Sequence, residues 1–174
     1  MAQTYLVYNS SLATTAAPVK QPTDSALRTM MQIAPNVPIK IIEWGCSFDG
    51  SAAATPGQVE LVDTGTVFAT MSTAYVVGDV QTFSDSNAVA NTSGAGGVPL
   101  GIGASLSGFA TAAVTEGSTT VTRNGDLQLI APTGQYLKQY PLGREFYVPS
   151  GHALRVRATF GASVNMYAYI LFEV

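Results

Sequence analysis

Histidine and cysteine occur once each in this chain of 174 residues, and Asp, Glu, Lys and Arg together make up 11% of it, against about 25% in an average soluble domain. Each scarcity excludes something. A lone Cys46 forms no intrachain disulfide, and on an apolar strand a single thiol reads as a core residue rather than a nucleophile. A lone His152 rules out metal sites built from several histidines. Any Ser-His-Asp triad has to run through His152, which follows Ser150-Gly151 at the entrance to a strand, where a turn residue belongs. Eight Lys and Arg stand against eleven Asp and Glu, for a net charge of −3 and a pI near 4.9. That balance speaks against nucleic acid as a partner, because a phosphate backbone is gripped by clustered cations. No run approaches the ~18 apolar residues of a membrane span, and the N-terminus lacks the regions of a secretion signal. Membrane binding is therefore not expected, and synthesis in a cytoplasm is. No cofactor is implied.

What remains is a surface rich in Ala, Gly, Ser, Thr, Val and Gln. Such a surface is desolvated at little cost, since removing unpaired charge from water is the expensive part of making an interface. The composition thus points to an assembly or binding protein. The length supports one domain, or one domain with an arm, that folds without metal or disulfide.

Apolar residues alternate with period two nearly everywhere, and period 3.6 is almost absent. Leu154, Val156, Ala158 and Phe160 alternate with Arg155, Arg157 and Thr159, which predicts a half-buried strand. Val164 to Val174 follows after a turn, so the C-terminus reads as a hairpin. Ile39 to Phe48 reads as a strand with Ile42, Trp44, Cys46 and Phe48 on its core face. Gln58 to Thr64 and Thr66 to Val77 read as its antiparallel successors. Asp85 to Gly108, rich in Gly, Ser, Ala and Asn, reads as a long flexible loop, and a loop of that length is usually functional or mobile. Ala112 to Arg123 and Asp126 to Ala131 read as strands joined by a type I′ turn at Asn124-Gly125. Tyr136 to Val148 is extended. Tyr5 to Tyr8 and Leu27 to Ile33 are the front strands, the second of them alternatively a short helix. The fold class is all-β, an antiparallel sandwich of jelly-roll type. Residues 1–35 form an N-terminal arm and first strands, and residues 36–174 form the sandwich, with the loop at 85–108.

Candidate chemistry is thin. Glu43 and Glu60 on neighbouring strands imitate a glycosidase pair, but any hairpin brings two carboxylates together. Gly101-Ile102-Gly103 imitates a phosphate loop with no helix after it. Asp79 and Asp85 lack the spacing of a calcium loop. Trp44 is either a sugar platform or, by its alignment with Ile42, Cys46 and Phe48, a core residue, and the alignment favours the core. Arg144 and Glu145 sit as opposite charges in an otherwise apolar run and point to opposite sides, so separate partners are expected; Arg144 is either partly buried against a carboxylate or a surface residue. Arg155 and Arg157 form either a basic stripe for an acidic partner or cross-strand pairs with Glu43, Glu60 or Glu145, and the pairs are preferred. Ser10 to Asp24, with Pro18 and Lys20, has too little apolar content to pack alone and suits an arm that lies on a neighbouring subunit or pairs with a sheet edge, and the main contact with a larger assembly is expected in it.

Ile39-Lys40-Ile41-Ile42-Glu43-Trp44-Gly45 with Ser47-Phe48-Asp49-Gly50, then Gln58-Val59-Glu60-Leu61, resembles a group of small proteins of tailed bacteriophages and prophages, especially of actinobacterial hosts. Ala131-Pro132-Thr133, Gln139-Tyr140-Pro141-Leu142-Gly143-Arg144-Glu145, Leu154-Arg155-Val156-Arg157 and Tyr169-Ile170-Leu171-Phe172-Glu173 are similar to that group in the same order. The resemblance covers most of the chain, including Tyr5 to Ser11, and weakens in the Gly- and Ser-rich loop. It implies a virion structural protein, a head decoration or cement protein on the capsid surface. It further implies a homo-oligomer, a trimer first, with the major capsid protein as partner. No catalytic residue comes with it. Two rivals belong to other classes. A carbohydrate-binding or host-adhesion module predicts exposed aromatics such as Tyr75, Tyr136 or Tyr140, and a small hydrolase needs a constellation around His152.

Overall fold

The computed structural model describes residues 3–12, 17–51, 54–83 and 98–174. The period-two segments become strands: β1 (Thr4–Tyr8), β2 (Gln21–Pro22), β3 (Arg28–Ile33), β4 (Ile39–Phe48), β5 (Gly57–Asp63), β6 (Thr73–Ala74), β7 (Gln81–Thr82), β8 (Gly108–Phe109), β9 (Arg123–Ile130), β10 (Gln135–Gln139), β11 (Phe146–Val148), β12 (Leu154–Thr159) and β13 (Asn165–Glu173). They form two antiparallel sheets packed face to face as a β-sandwich. The first sheet runs β10-β4-β13-β1-β7, with β11 also on β4 and β2 on β13; the second runs β6-β8-β3-β12-β5-β9. The segment Leu27 to Ile33 is thus a strand, as Pro35 and Pro38 favour.

Inward-facing residues of both sheets make one core. Tyr5, Trp44, Cys46, Met166, Ile170 and Phe172 of the first sheet meet Met31, Ile33, Leu61, Leu154 and Val156 of the second, all buried. Tyr5 stacks on Phe172 with ring centroids 5.5 Å apart, and Phe48 packs on Phe160 at 4.7 Å. Trp44 is fully buried, in agreement with its alignment on the strand. Burial pushes the Cys46 thiol up to about 12, so it stays protonated and inert.

Several sequence expectations are corrected. On β4 the core face is Ile39 and Ile41, then Trp44, Cys46 and Phe48, whereas Ile42 is only half-buried. The register shift opposite Leu171 and Phe172 marks a bulge there, and a bulge changes the phase of alternation without any trace in the pattern. Asn124-Gly125 is not a hairpin turn. Both lie inside β9, where Leu61 pairs with Asp126 and Val62 with Asn124, leaving Gly125 as the extra residue of a second bulge. A Cβ on Gly125 would come within 3.2 Å of the Leu61 carbonyl and of the Phe146 ring, so glycine permits the close approach. The C-terminus is no hairpin either, because β12 belongs to the second sheet and β13 to the first. β4 and β5 likewise lie in different sheets. Alternation reports which face is buried and is silent on which sheet receives the strand. Of the expected long loop, residues 85–97 lie outside the described residues, while Val98 and Leu100 are buried in the core. The described residues among 1–35 supply β1 and β3, interior strands of the two sheets, and β2 beside β13.

Thr66 to Val77 and Ala112 to Arg123 are mostly irregular, contributing only β6 and the first residue of β9, together with a single 3-10 turn at Val77–Asp79. Parts of both segments cover the outer face of the second sheet, and polar groups hold them there. Arg155 donates to the Glu116 carbonyl at 3.0 Å and the Val67 carbonyl at 2.5 Å. The Glu116 carboxylate accepts from the Thr29 amide and hydroxyl, each at 2.5 Å, and lies 3.6 Å from Arg155. Arg157 pairs with Glu60 at 2.5 Å and donates to the Thr119 carbonyl at 2.8 Å. The Gln32 amide accepts from the Ala69 amide and donates to the Ala69 and Leu106 carbonyls. Arg28 donates to the Pro22 and Ala112 carbonyls. The polar face of β12 is therefore an interior layer under a lid of loops.

Breaking a buried pair by removing one charge leaves the other uncompensated, which costs about 3 kcal/mol or more. Glu60→Gln is expected to lower stability by about that amount in urea unfolding, whereas Glu43→Gln, at a half-buried site, is expected to cost about 1 kcal/mol or less.

Candidate interaction surfaces

Arg155 and Arg157 are 0% and 3% exposed. They form no basic stripe for an outside partner. Cross-strand pairing holds for Arg157 with Glu60, while Arg155 pairs with Glu116, which the sequence reading did not name. Burial lowers the Arg155 guanidinium from its ordinary value; the Glu116 carboxylate opposes this and the Arg157 charge adds to it. Arg144 is a surface residue. It closes the turn between β10 and β11, its amide donating to the Pro141 carbonyl at 2.9 Å. The Glu145 carboxylate accepts from the Gly143 amide at 2.8 Å, and backbone N–H groups of Glu145 and Gly143 hold it below the usual carboxylate range. Glu43 accepts from the Tyr169 hydroxyl at 2.5 Å and does not face Glu60.

The N-terminal candidates lie on their own sandwich. The buried Ser10 hydroxyl accepts from the Val19 amide at 2.8 Å, the Pro18 carbonyl accepts from the Tyr167 hydroxyl at 2.7 Å, and Lys20 pairs with Asp49. β2 then pairs with β13, and the Thr23 amide donates to the Val164 carbonyl. The described part of Ser10 to Asp24 is thereby bound along the first sheet.

His152 Nδ1 stands 3.1 Å from both oxygens of Asp63, whose Oδ2 also accepts from Arg123 at 2.6 Å. Ser150 donates elsewhere, to the Asn36 carbonyl. The cluster joins β5, β9 and the approach to β12. Asp126 plays the matching part at the side of the sandwich, accepting from Trp44 Nε1 at 3.3 Å, from the Tyr136 hydroxyl at 2.7 Å and from Gln128 at 3.0 Å, with Lys138 at 3.4 Å. Asp79 accepts from the Ser11 hydroxyl and from the Leu12 and Val76 amides. Among the described residues no group of three or more His, Cys, Asp or Glu could hold a metal ion; Asp85 lies outside them.

Of the aromatics expected at a sugar site, Tyr75 is fully buried and donates to the Tyr8 carbonyl at 2.6 Å. Tyr140 turns toward the Gly125 carbonyl at 3.0 Å. Tyr136, half-buried, lines a groove of about 690 Å³ on the outer face of the first sheet together with three tyrosines not expected there, Tyr8, Tyr167 and Tyr169, and with Pro18, Ser47, Gln135 and Leu137. The alternation Tyr167, Tyr169, Leu171 was the available signal, since these positions oppose the core residues Met166, Ala168 and Ile170.

Large apolar side chains are exposed on the edge elements β9, β10 and β11. Leu127 is 56% exposed, Leu129 76%, and Leu142, in the turn between β10 and β11, 98%. Thr29, Arg157, Glu60 and Leu127 form one row across the outer face of the second sheet. That row passes from the covered polar layer to a bare leucine on the last strand. β9 pairs with β5 alone, so its other edge carries no strand among the described residues. Comparison with protein-family models, curated proteins and solved structures finds no match to this chain.

Burial raises the Asp63 and Asp126 carboxyls, but bonds outweigh it: Arg123, the Gly65 amide and His152 at Asp63, and Gln128, Tyr136, Lys138 and the Leu127 amide at Asp126, so both lie below the ordinary 3.8. A carboxyl lowered by folding stabilises the fold above its unfolded value and ceases to do so as pH falls through the native one. Asp126→Asn is expected to be less stable than the parent near neutrality, with the gap narrowing at about pH 3. Urea unfolding at both pH values checks this.

Proposed function

We propose that this protein is a structural component of a bacteriophage virion, a decoration or cement protein that joins copies of itself and attaches to the major capsid protein on the outer shell. The carrying observation is the β9 edge. An eight-residue edge strand with Leu127 and Leu129 exposed is an invitation to pairing that single-copy proteins blunt with charge, proline or a cover. This chain keeps its cover for the middle of the second sheet. On β9 the first half is blunted by the Gly125 bulge, by the Tyr140 hydroxyl on the Gly125 carbonyl and by the Asp126 carboxylate on the Leu127 amide. The stretch from Gln128 to Ile130, with Leu129 bare, is the part left open.

Two further points support the reading. The principal strands are ordered β1-β13-β4-β10 in one sheet and β3-β12-β5-β9 in the other, an order that supports a jelly-roll reading of the sandwich, and jelly rolls are frequent in viral shell proteins and lectins. This is an argument by fold analogy. The chain also resembles phage structural proteins in the segments quoted above. In this reading the β9 edge is the contact between copies, and Leu142 at the tip of its turn reaches the shell. The mechanism is adhesion: apolar area leaves water at junctions between capsid subunits, at about 25 cal/mol per Å², and the neutral surround is desolvated cheaply.

Light scattering coupled to size exclusion tests the reading. The parent is expected to run as a closed oligomer and the Leu127→Lys/Leu129→Lys variant as a folded monomer. Leu142→Asp is expected to keep the oligomer and lose co-sedimentation with capsids. A parent that is monomeric at all concentrations and does not co-sediment with capsids contradicts it.

A further inference from the structure

From the groove on the outer face of the first sheet we infer a second, independent site, one that binds a neutral oligosaccharide. Its floor is built from adjacent strands. Tyr8 of β1 lies beside Tyr169 of β13, ring centroids 5.7 Å apart, and Tyr167 stands two residues before Tyr169 on the same strand face. The Tyr169 ring lies over Gly45 of β4, where a Cβ would fall 2.7 Å from its Cε1, so only glycine lets the ring settle on the sheet. Two phenols are anchored, Tyr169 on Glu43 at 2.5 Å and Tyr167 on the Pro18 carbonyl at 2.7 Å. The rings are thereby held in place before any ligand arrives, which lowers the entropy cost of binding.

The lining chooses the ligand. None of the ten residues around the groove carries a formal charge, and the carboxylate beside them, Glu43, is already engaged by the Tyr169 hydroxyl, so a phosphate or sulfate finds no counter-charge and a neutral ligand is favoured. A wholly apolar ligand would strip water from the Ser47 hydroxyl and the Gln135 amide without replacing it. A pyranose satisfies both demands, because its C–H face packs on a tyrosine ring while its hydroxyls bond to amide and hydroxyl groups at the rim. The volume of about 690 Å³ falls within the usual range for small-ligand sites, about 300–1,000 Å³. The groove is on the first sheet and the β9 edge on the second, so this site stands or falls apart from the assembly reading.

The test is an amide NMR titration of the full chain with maltotriose, mannotriose and N,N′,N″-triacetylchitotriose, each separately. At least one is expected to shift the amides of Tyr8, Ser47, Gln135 and Leu137 with a Kd of about 1 mM or tighter. Tyr169→Ala is expected to weaken that binding at least tenfold. Gln135→Ala, at an exposed position that leaves the fold intact, is expected to weaken it several-fold. Absence of shifts with all three sugars overturns the proposal. So do shifts centred away from the groove, or groove shifts produced by a proline-rich peptide and by none of the sugars.

Discussion

The ion pair between Arg157 and Glu60, with Arg155 and Glu116 beside it, is the interaction on which the arrangement of this molecule depends. The four side chains lie on the outer face of the second sheet, a face that an ordinary two-layer sandwich gives to water. Here irregular chain lies over it, and guanidinium groups bind the carbonyls of that chain at Val67, Glu116 and Thr119. Arginine suits the task because its planar fork serves a carboxylate and several carbonyls at once. Covering this face with loops rather than a third sheet leaves backbone groups to be satisfied by side chains; Arg28 and Gln32 serve those of the loops, and Glu116 serves the Thr29 amide of the sheet.

That use of charge accounts for the neutrality of the surface. Arg28, Arg155 and Arg157 are buried, as are Glu60, Asp63, Asp79 and Asp126, in a chain with only 8 Lys and Arg and 11 Asp and Glu. Scarce charge is placed where it organises loops and strand edges, and little is left to keep other proteins away. The exposed leucines of β9 and of the β10 to β11 turn are the complement of that choice. A molecule that works alone at high concentration is poorly served by it, whereas one that adds itself to a regular shell gains contact area.

Local pattern carried the sequence reading where a side chain's face decides its fate. Strand bounds at Ile39–Phe48, the core roles of Trp44 and Cys46, and the pairing of Arg157 with Glu60 were all legible, since each follows from alternation on one strand or across two. Ile42 and Gly125 were misread because a bulge inserts one residue and alternation offers no sign of it. The crossing from β12 to β13 was read as a hairpin because turn residues announce a reversal and leave the destination sheet open. The partners expected for Arg155, Glu43, Glu60 or Glu145, are not the ones it has, because its partners Val67 and Glu116 come from irregular segments distant in the chain. Of the tyrosine groove only Tyr136 was named, for the same reason: Tyr8 and Tyr169 meet only after β1 and β13 pair.

Hydrogen–deuterium exchange of the parent protein, at a dilute and a concentrated condition, tests the role of the β9 edge most directly. If that edge joins copies, amides within Arg123–Ile130 gain protection with concentration while those of the interior strand β12 stay constant. Equal and rapid exchange along the outer edge of β9 at both concentrations would contradict it.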